Sequence, residues 1–356
     1  MRPSVRPYLA GPGYVYAERP EAIAARYGFD RVARLGSNEN PFGPSPRALE
    51  AASAALADAH RYPEESMSGL RAALAARYGD RAYAVGNGMD GIIETLLRVF
   101  CEAGDRVTVS TPTFSFYGIA ARAQGAGVAT VPRSADFAVD VEAFAAASRG
   151  AKIAFLCTPN NPTGTATPVE DVRAIAESIG DCLLFLDNAY VDFSDRDYRP
   201  LLDACENLVI GRTFSKLYGL AGFRVGYAML PDWLFPAYTR AATPFSGVSS
   251  VSAAAAAAAL EDDAHVERTR SHVVAWRERL AAECPFSSAP SEANFLMIDV
   301  APRASDEAVG ALARAGVLVR SCRSFPDLAD HYLRVSVGAD WENERFLSAV
   351  RSLSSA

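Results

Sequence analysis

The chain has 356 residues, half of them hydrophobic and 22% charged, with a formal net charge of −7. That length exceeds one ordinary core and predicts two domains in close contact, in a soluble globular protein. The negative balance and the scattered arginines argue against nucleic acid as a partner, since a phosphate backbone demands a basic face.

Cys101, Cys157, Cys182, Cys205, Cys284 and Cys322 lie far apart and form no Cys-x-x-Cys pair. Zinc and a disulfide framework are therefore not expected, and six reduced thiols in a cytoplasmic protein are. The opening residues contain no apolar run of signal-peptide length, and no later run has the length to span a bilayer.

In chain order, the first forty residues are rich in Pro, Gly and Tyr and predict an arm with a short helix over Pro20–Tyr27. Helices follow over Pro46–His60 and Ser66–Tyr78. From Ile92 onward, helical patterns alternate with short apolar or β-branched runs at 107–109, 128–131, 153–156, 183–186, 208–210 and 225–229. Such alternation predicts βαβ units and a mostly parallel sheet covered by helices. Ala253–Leu260 reads as a buried helix ended by Asp262 and Asp263, followed by a helical stretch over His265–Ala282. Strands at 294–300, 317–320 and 332–337, with helices at 305–315 and 341–353, predict a smaller α/β domain that includes the N-terminal arm. The expected division is 1–45 as the arm and part of the small domain, 46–265 as the large domain and 266–356 as the small one.

In parallel sheets ligands bind beyond the carboxyl ends of the strands, and most of the informative motifs fall there. The run Thr213–Arg224 (TFSKLYGLAGFR) places Lys216, two hydroxyls and a guanidinium in one Gly-rich segment after the strand at 208–210. Such a lysine can form an imine with an aldehyde while Thr213, Ser215 and Arg224 hold a phosphate, the combination a pyridoxal phosphate site requires. In FLCTPNNPTG, Asn161 is placed to hydrogen-bond a phenolic oxygen, although for this segment alone an Asn-Pro turn without chemistry is the better reading. Asp187 follows four apolar residues, and a carboxylate there needs a cationic partner such as a protonated ring nitrogen. Tyr190 stands three residues on; a helix cap and a core aromatic are the plainer readings of the pair.

Gly88, Met89 and Asp90 open a helix whose N-terminal amides suit a phosphate, though a Gly-x-Gly turn by itself is weak. Phe114 offers a flat face for a ring, or simply core packing. A dinucleotide site is not expected, because GAGVAT lacks the third glycine position. Nor is a metal site, since His60, His265, His272 and His331 have no ligand spacing.

Taken in order, SNENPFGPSP, RYP, NNPTG, the D-x-A-Y of 187–190, RTFSKLYGLAGFRVGYA and YLRVSVG make the sequence resemble fold-type I pyridoxal-phosphate aminotransferases of the histidinol-phosphate aminotransferase group. The resemblance spans nearly the whole chain. It implies that Lys216 bonds the cofactor and moves a proton at the substrate Cα, that Asp187 pairs with the ring nitrogen, and that Asn161 and Tyr190 contact the phenolic oxygen. Thr213, Ser215, Arg224 and the amides of 88–90 would hold the phosphate, joined by Tyr62 from the neighbouring subunit of a homodimer with shared active sites. Arg334 would grip the substrate carboxylate as a bidentate fork, with Asn38 beside it and Tyr8 and Arg320 facing the distal end. The implied partners are an amino donor, histidinol phosphate or an aromatic amino acid, and a keto-acid acceptor, with glutamate and 2-oxoglutarate as the nitrogen pair; a related enzyme recruited to a specialised pathway is a further alternative. Asn188 and Gly91 depart from the pattern, which commonly has Glu and an acidic residue there. The segment 319–338 is also similar to threonine-phosphate decarboxylases, making a lyase the alternative. A non-enzymatic descendant is disfavoured because every reactive position is filled.

Overall fold

A computed structural model describes residues 3–10, 13 and 18–354; the remaining parts of the expected N-terminal arm lie outside the described residues. The strands among them are β1 (Ala33–Arg34), β2 (Ala82–Asn87), β3 (Arg106–Thr111), β4 (Gly127–Pro132), β5 (Ile153–Cys157), β6 (Leu183–Asp187), β7 (Leu208–Thr213), β8 (Val225–Leu230), β9 (Phe295–Asp299), β10 (Val317–Leu318), β11 (Arg320–Ser321) and β12 (Tyr332–Ser336). Seven of them form one sheet in the order β2-β8-β7-β6-β5-β3-β4. Only β8 runs against its neighbours in it. The fold is thus the α/β class expected, with a mostly parallel sheet flanked by helices.

The central strands are buried on both faces, and their side chains alternate accordingly. Leu156, Leu184, Leu186, Leu208 and Ile210 enter one core. Ile153, Phe155, Leu183, Phe185 and Val209 enter the other. This period of two explains why these strands read as continuous apolar runs: both sets of alternate positions are dry. Full burial of each such side chain contributes about 1.5–3 kcal/mol.

β2 is a strand that the sequence did not announce. Its residues, Ala82–Asn87, include Ala and Gly, which have little strand propensity, yet Tyr83, Ala84 and Val85 are buried at the sheet edge beside β8. The helix Pro46–Ala55 starts where its signals place it, with the Ser45 side chain accepting from the Ala48 N–H at 3.1 Å and Pro46 in the first turn. It ends as α-helix at Ala55 and finishes in a 3-10 turn over Leu56–Asp58, short of His60. The Ala-rich helix Ser250–Ala259 packs on it through small side chains, Ala255 and Ala256 being fully buried.

Two smaller sheets complete the set. β1 pairs in parallel with β10, and β11, β12 and β9 form an antiparallel sheet in which Arg320 stands opposite Arg334. Among the described residues no helix is long and apolar enough to cross a membrane.

Between these sheets the segment after β7 is clamped to the loop 37–43. Asn40 donates its side-chain amide to the carbonyls of Leu217, at 2.7 Å, and Lys216, at 3.2 Å. Gly219 sits at φ +68°, and a Cβ there would fall 2.2 Å from the Gly43 carbonyl oxygen. Gly219→Ala is therefore expected to lower the unfolding free energy by about 1–3 kcal/mol in urea titrations, from left-handed strain and overpacking together. Gly222→Ala, three residues away with no atom within 4 Å of its Cβ, should stay within about 0.5 kcal/mol of the parent.

Candidate active site

The carboxyl ends of β2, β3, β5, β6 and β7 share one edge of the sheet, and β8, running the other way, begins there. Gly88, Phe114, Asn161, Asp187 and Lys216 follow or end the first five, and Arg224 immediately precedes the sixth. A cavity of about 330 Å³ opens at this edge. Met89, Asp90, Phe114, Asn161, Asp187, Tyr190, Thr213, Ser215, Lys216 and Arg224 line it, with Asn38, Arg320 and Arg334 from the side of the smaller sheets.

Asp187 is only 3% exposed. Its Oδ2 accepts from the Tyr117 hydroxyl at 2.6 Å and its Oδ1 from the Ala189 N–H at 2.9 Å. Burial pushes its carboxyl up to about 6, against the opposing effect of the Tyr117 hydrogen bond. Neither hydrogen bond comes from a cation, so the site presents a buried carboxylate suited to a positively charged partner in the cavity.

Lys216 is displaced in the opposite direction. Burial, with the Arg334 guanidinium as second cause, brings its ammonium down to about 8. Its Nζ lies 3.4 Å from the Ser37 carbonyl oxygen and 5.6 Å from the Tyr190 ring centre. An amine in that range keeps a minority neutral fraction near physiological pH, far above that of an ordinary lysine, and the neutral form is what nucleophile and base chemistry require.

The anion-binding corner is built from a helix end and a guanidinium. Met89 and Asp90 stand in the first turn of the thirteen-residue helix Gly88–Phe100, whose dipole favours negative charge at that end. Arg224, at φ +54°, bonds Asp90 Oδ2 from its Nη2 at 2.9 Å. Gly88 departs from expectation: its N–H is donated to the Arg224 carbonyl at 2.9 Å, so it is committed to the chain and absent from the cavity lining. Its lack of a side chain matters instead, because a Cβ would approach Arg224 Nη2 to 2.6 Å. Thr213 accepts the Ser215 N–H at 3.1 Å, which leaves its hydroxyl proton for the cavity.

Arg334 is 7% exposed; it donates from Nη1 to Asn161 Oδ1 and from Nη2 to the Gly36 carbonyl at 2.8 Å. Its Nε is buried without a hydrogen-bond partner, a donor left facing an environment that offers no acceptor. Asn38 donates to the Tyr190 hydroxyl at 3.1 Å.

Two expected residues stand elsewhere. Tyr62 is 84% exposed and stacks on Phe245 with ring centres 5.1 Å apart, outside the cavity. Tyr8 lies in a 3-10 turn beneath the Arg6 guanidinium, 5.2 Å from its ring centre, and does not line the cavity of its own chain. Conversely, Tyr117, which no motif singled out, supplies a hydrogen bond to Asp187; the one signal for it was its place three residues after Phe114. Of the departures, Asn188 is buried and donates to the Thr158 carbonyl at 2.7 Å, bracing the loop after β5, and neither it nor Gly91 lines the cavity.

Residues 30–353 match the family of class I and II aminotransferases. A histidinol-phosphate aminotransferase of Methanosphaerula palustris is 60% identical over 354 residues, covering 99% of this chain and 100% of the relative. Its counterpart from Symbiobacterium thermophilum is 44% identical, with 95% of each chain covered. Among solved structures, histidinol-phosphate aminotransferase from Sinorhizobium meliloti in complex with pyridoxal-5'-phosphate superposes with a TM-score of 0.87 at 29% identity, over 99% of both chains. L-threonine-O-3-phosphate decarboxylase from Porphyromonas gingivalis, at 22% identity, TM-score 0.78 and coverage of 91% and 100%, shares the fold alone. With the match extending over nearly its whole length, the chain belongs to the class I and II aminotransferase family.

Proposed function

We propose that this protein is a pyridoxal-phosphate-dependent aminotransferase acting on histidinol phosphate, with glutamate and 2-oxoglutarate as the nitrogen partners. The observation that carries the reading is one cavity holding a buried carboxylate raised to about 6 and a lysine lowered to about 8, beside a helix N-terminus with an arginine. The full-length likeness to histidinol-phosphate aminotransferases selects the substrate.

The residues fit the cofactor on chemistry of their own. Asp187 lacks a hydrogen-bonded cation and would take the ring nitrogen; Asn161 and Tyr190 would face the phenolic oxygen. Phe114 would stack on the ring, and Thr213, Ser215, Arg224 and the amides of Met89 and Asp90 would hold the phosphate. When bound, pyridoxal phosphate supplies an electrophilic carbon and a conjugated ring that accommodates the electron pair released at the substrate Cα. Lys216, in its neutral amine form, takes the proton from that carbon and returns it elsewhere. Arg334 holds the anionic end of each substrate in turn, the phosphate of one and the carboxylate of the other, with Arg320 beyond it.

A second copy of the chain completes this picture. Tyr62, exposed and turned out of its own cavity, would reach the partner's phosphate site, and Tyr8 would face the partner's substrate. The reading entails a cytoplasmic homodimer, with residues 46–265 as the cofactor domain and 266–356 plus the arm as the smaller one.

Two outcomes check it. Loaded protein mixed with histidinol phosphate alone should convert its cofactor stoichiometrically to the amine form, and added 2-oxoglutarate should reverse the change. Lys216→Ala should slow the half-reaction by roughly 10²–10⁴-fold with an unchanged circular dichroism spectrum; carbon dioxide release from threonine phosphate, with no half-reaction, would replace transamination by decarboxylation. The second outcome concerns Asp187, which is charged above about pH 6 in the cofactor-free protein and neutral below. In absorbance titrations near pH 7, Asp187→Asn should bind pyridoxal phosphate about tenfold or more weakly than the parent, because an amide cannot pair with a protonated ring nitrogen as a carboxylate does.

A further inference from the structure

Tyr190 is held by a hydrogen-bond chain that leads away from the cavity to the far end of β12. Asn38, 1% exposed and at φ +54°, donates its side-chain amide to the Tyr190 hydroxyl at 3.1 Å. Its backbone N–H donates to Ser336 Oγ at 2.8 Å, and Ser336 Oγ donates to Asn38 Oδ1 at 3.0 Å. Its carbonyl accepts from Asn294 Nδ2 at 3.1 Å. Ser336 is itself 1% exposed, and its N–H is donated to the Leu35 carbonyl at 2.9 Å.

Donor and acceptor counting favours one orientation of the Asn38 amide. A backbone N–H can only donate, so Ser336 Oγ accepts from Asn38 and has one proton left to give. The atom of the Asn38 amide 3.0 Å away takes that proton when it is the oxygen, which satisfies both groups. The nitrogen therefore faces Tyr190. The Tyr190 oxygen receives a proton from Asn38 and keeps its own for the cavity.

We propose that Ser336 is a positioning residue that pins the orientation of the Asn38 amide, and so directs the Tyr190 hydroxyl proton toward the phenolic oxygen of the cofactor. The proposal rests on the reading of Tyr190 given above. Without the serine hydroxyl nothing fixes the amide. Turned over, its oxygen accepts the Tyr190 proton, and the hydroxyl no longer donates into the site. Ser336 and Arg334 are two residues apart on β12 and so point to one face of that strand. One strand thus carries both the substrate-holding guanidinium and the group that sets the phenol. The charged or titratable groups facing Tyr190 from other elements are Lys216, Asp187 and Cys157, with Arg334 on β12 itself. None is altered by changing Ser336.

The experiment reads the pH midpoint of the visible absorbance of the cofactor-loaded protein, independently of turnover. A hydroxyl donating to the phenolic oxygen stabilises its negative charge and lowers the midpoint. Ser336→Ala should therefore move it upward by about one pH unit, or tenfold in proton affinity. Ser336→Thr, which retains the hydroxyl, should restore the parent value. Ser336→Cys, close in volume but a weak donor, should shift in the same direction as Ser336→Ala and serves if the alanine variant does not fold. In an Asn38→Ala background, Ser336→Ala should add nothing, because the serine acts only through that amide. Tyr190→Phe sets the largest shift attainable. A parent-like midpoint in Ser336→Ala and Ser336→Cys, with Tyr190→Phe shifted, overturns the proposal alone; no shift in Tyr190→Phe overturns the reading of Tyr190 beneath it.

Discussion

Taking an ionisable carboxyl out of water costs several kcal/mol, roughly, unless a partner compensates it, and Asp187 is buried at the end of a strand that is itself buried on both faces. Much of the surrounding geometry serves that group. Tyr117, packed face to face on Phe155 with ring centres 4.9 Å apart, supplies one hydrogen bond from a rigid aromatic stack, and the turn at Ala189 supplies the other. The compensation is incomplete, which is why the carboxyl is displaced upward rather than downward. A carboxylate satisfied by an arginine would be more comfortable and would have nothing to offer a ligand.

The opposite displacement of Lys216 has the same origin. Burial disfavours whichever form is charged, so one dry cavity raises an acid and lowers a base. Arg334 adds to the effect on the lysine by its positive charge, and it is held in place by Asn161 and the Gly36 carbonyl. If Arg334 holds the substrate as proposed, grip and lysine basicity are coupled through one guanidinium, since an anion bound to Arg334 would weaken its push on the ammonium.

Much of this was legible in the sequence because the parallel sheet puts chemistry where strands end. Val209 and Ile210, Leu184 to Leu186 and Phe155 to Leu156 announced buried strands, and the residues just past them were the ones to inspect. β2 was not legible, because Ala84 and Gly86 carry no strand preference and the pairing with β8 is nearly 150 residues distant. The commitment of the Gly88 amide to Arg224 is likewise a long-range bond that a Gly-rich pattern does not encode. Tyr62 and Tyr8 show the limit from the other side: the resemblance marked each of them, and neither lines the cavity of its own chain. Ser336 lay within a quoted motif, yet its significance depends on a partner 298 positions away.

The reversal of β8 has a further consequence. Because that strand starts at the edge where β7 stops, the loop carrying Lys216 and Arg224 is tied to the same sheet at both ends and is braced by the Asn40 side-chain amide. Arg334 and Ser336 belong to a different sheet, and Asn38 to a loop that follows β1. That loop bridges the two ends, Asn38 bonding Ser336 and Tyr190 while Asn40 clamps the Lys216 segment, so any remodelling of the substrate end for a new amino donor would have to leave the loop in place for the lysine to keep its position.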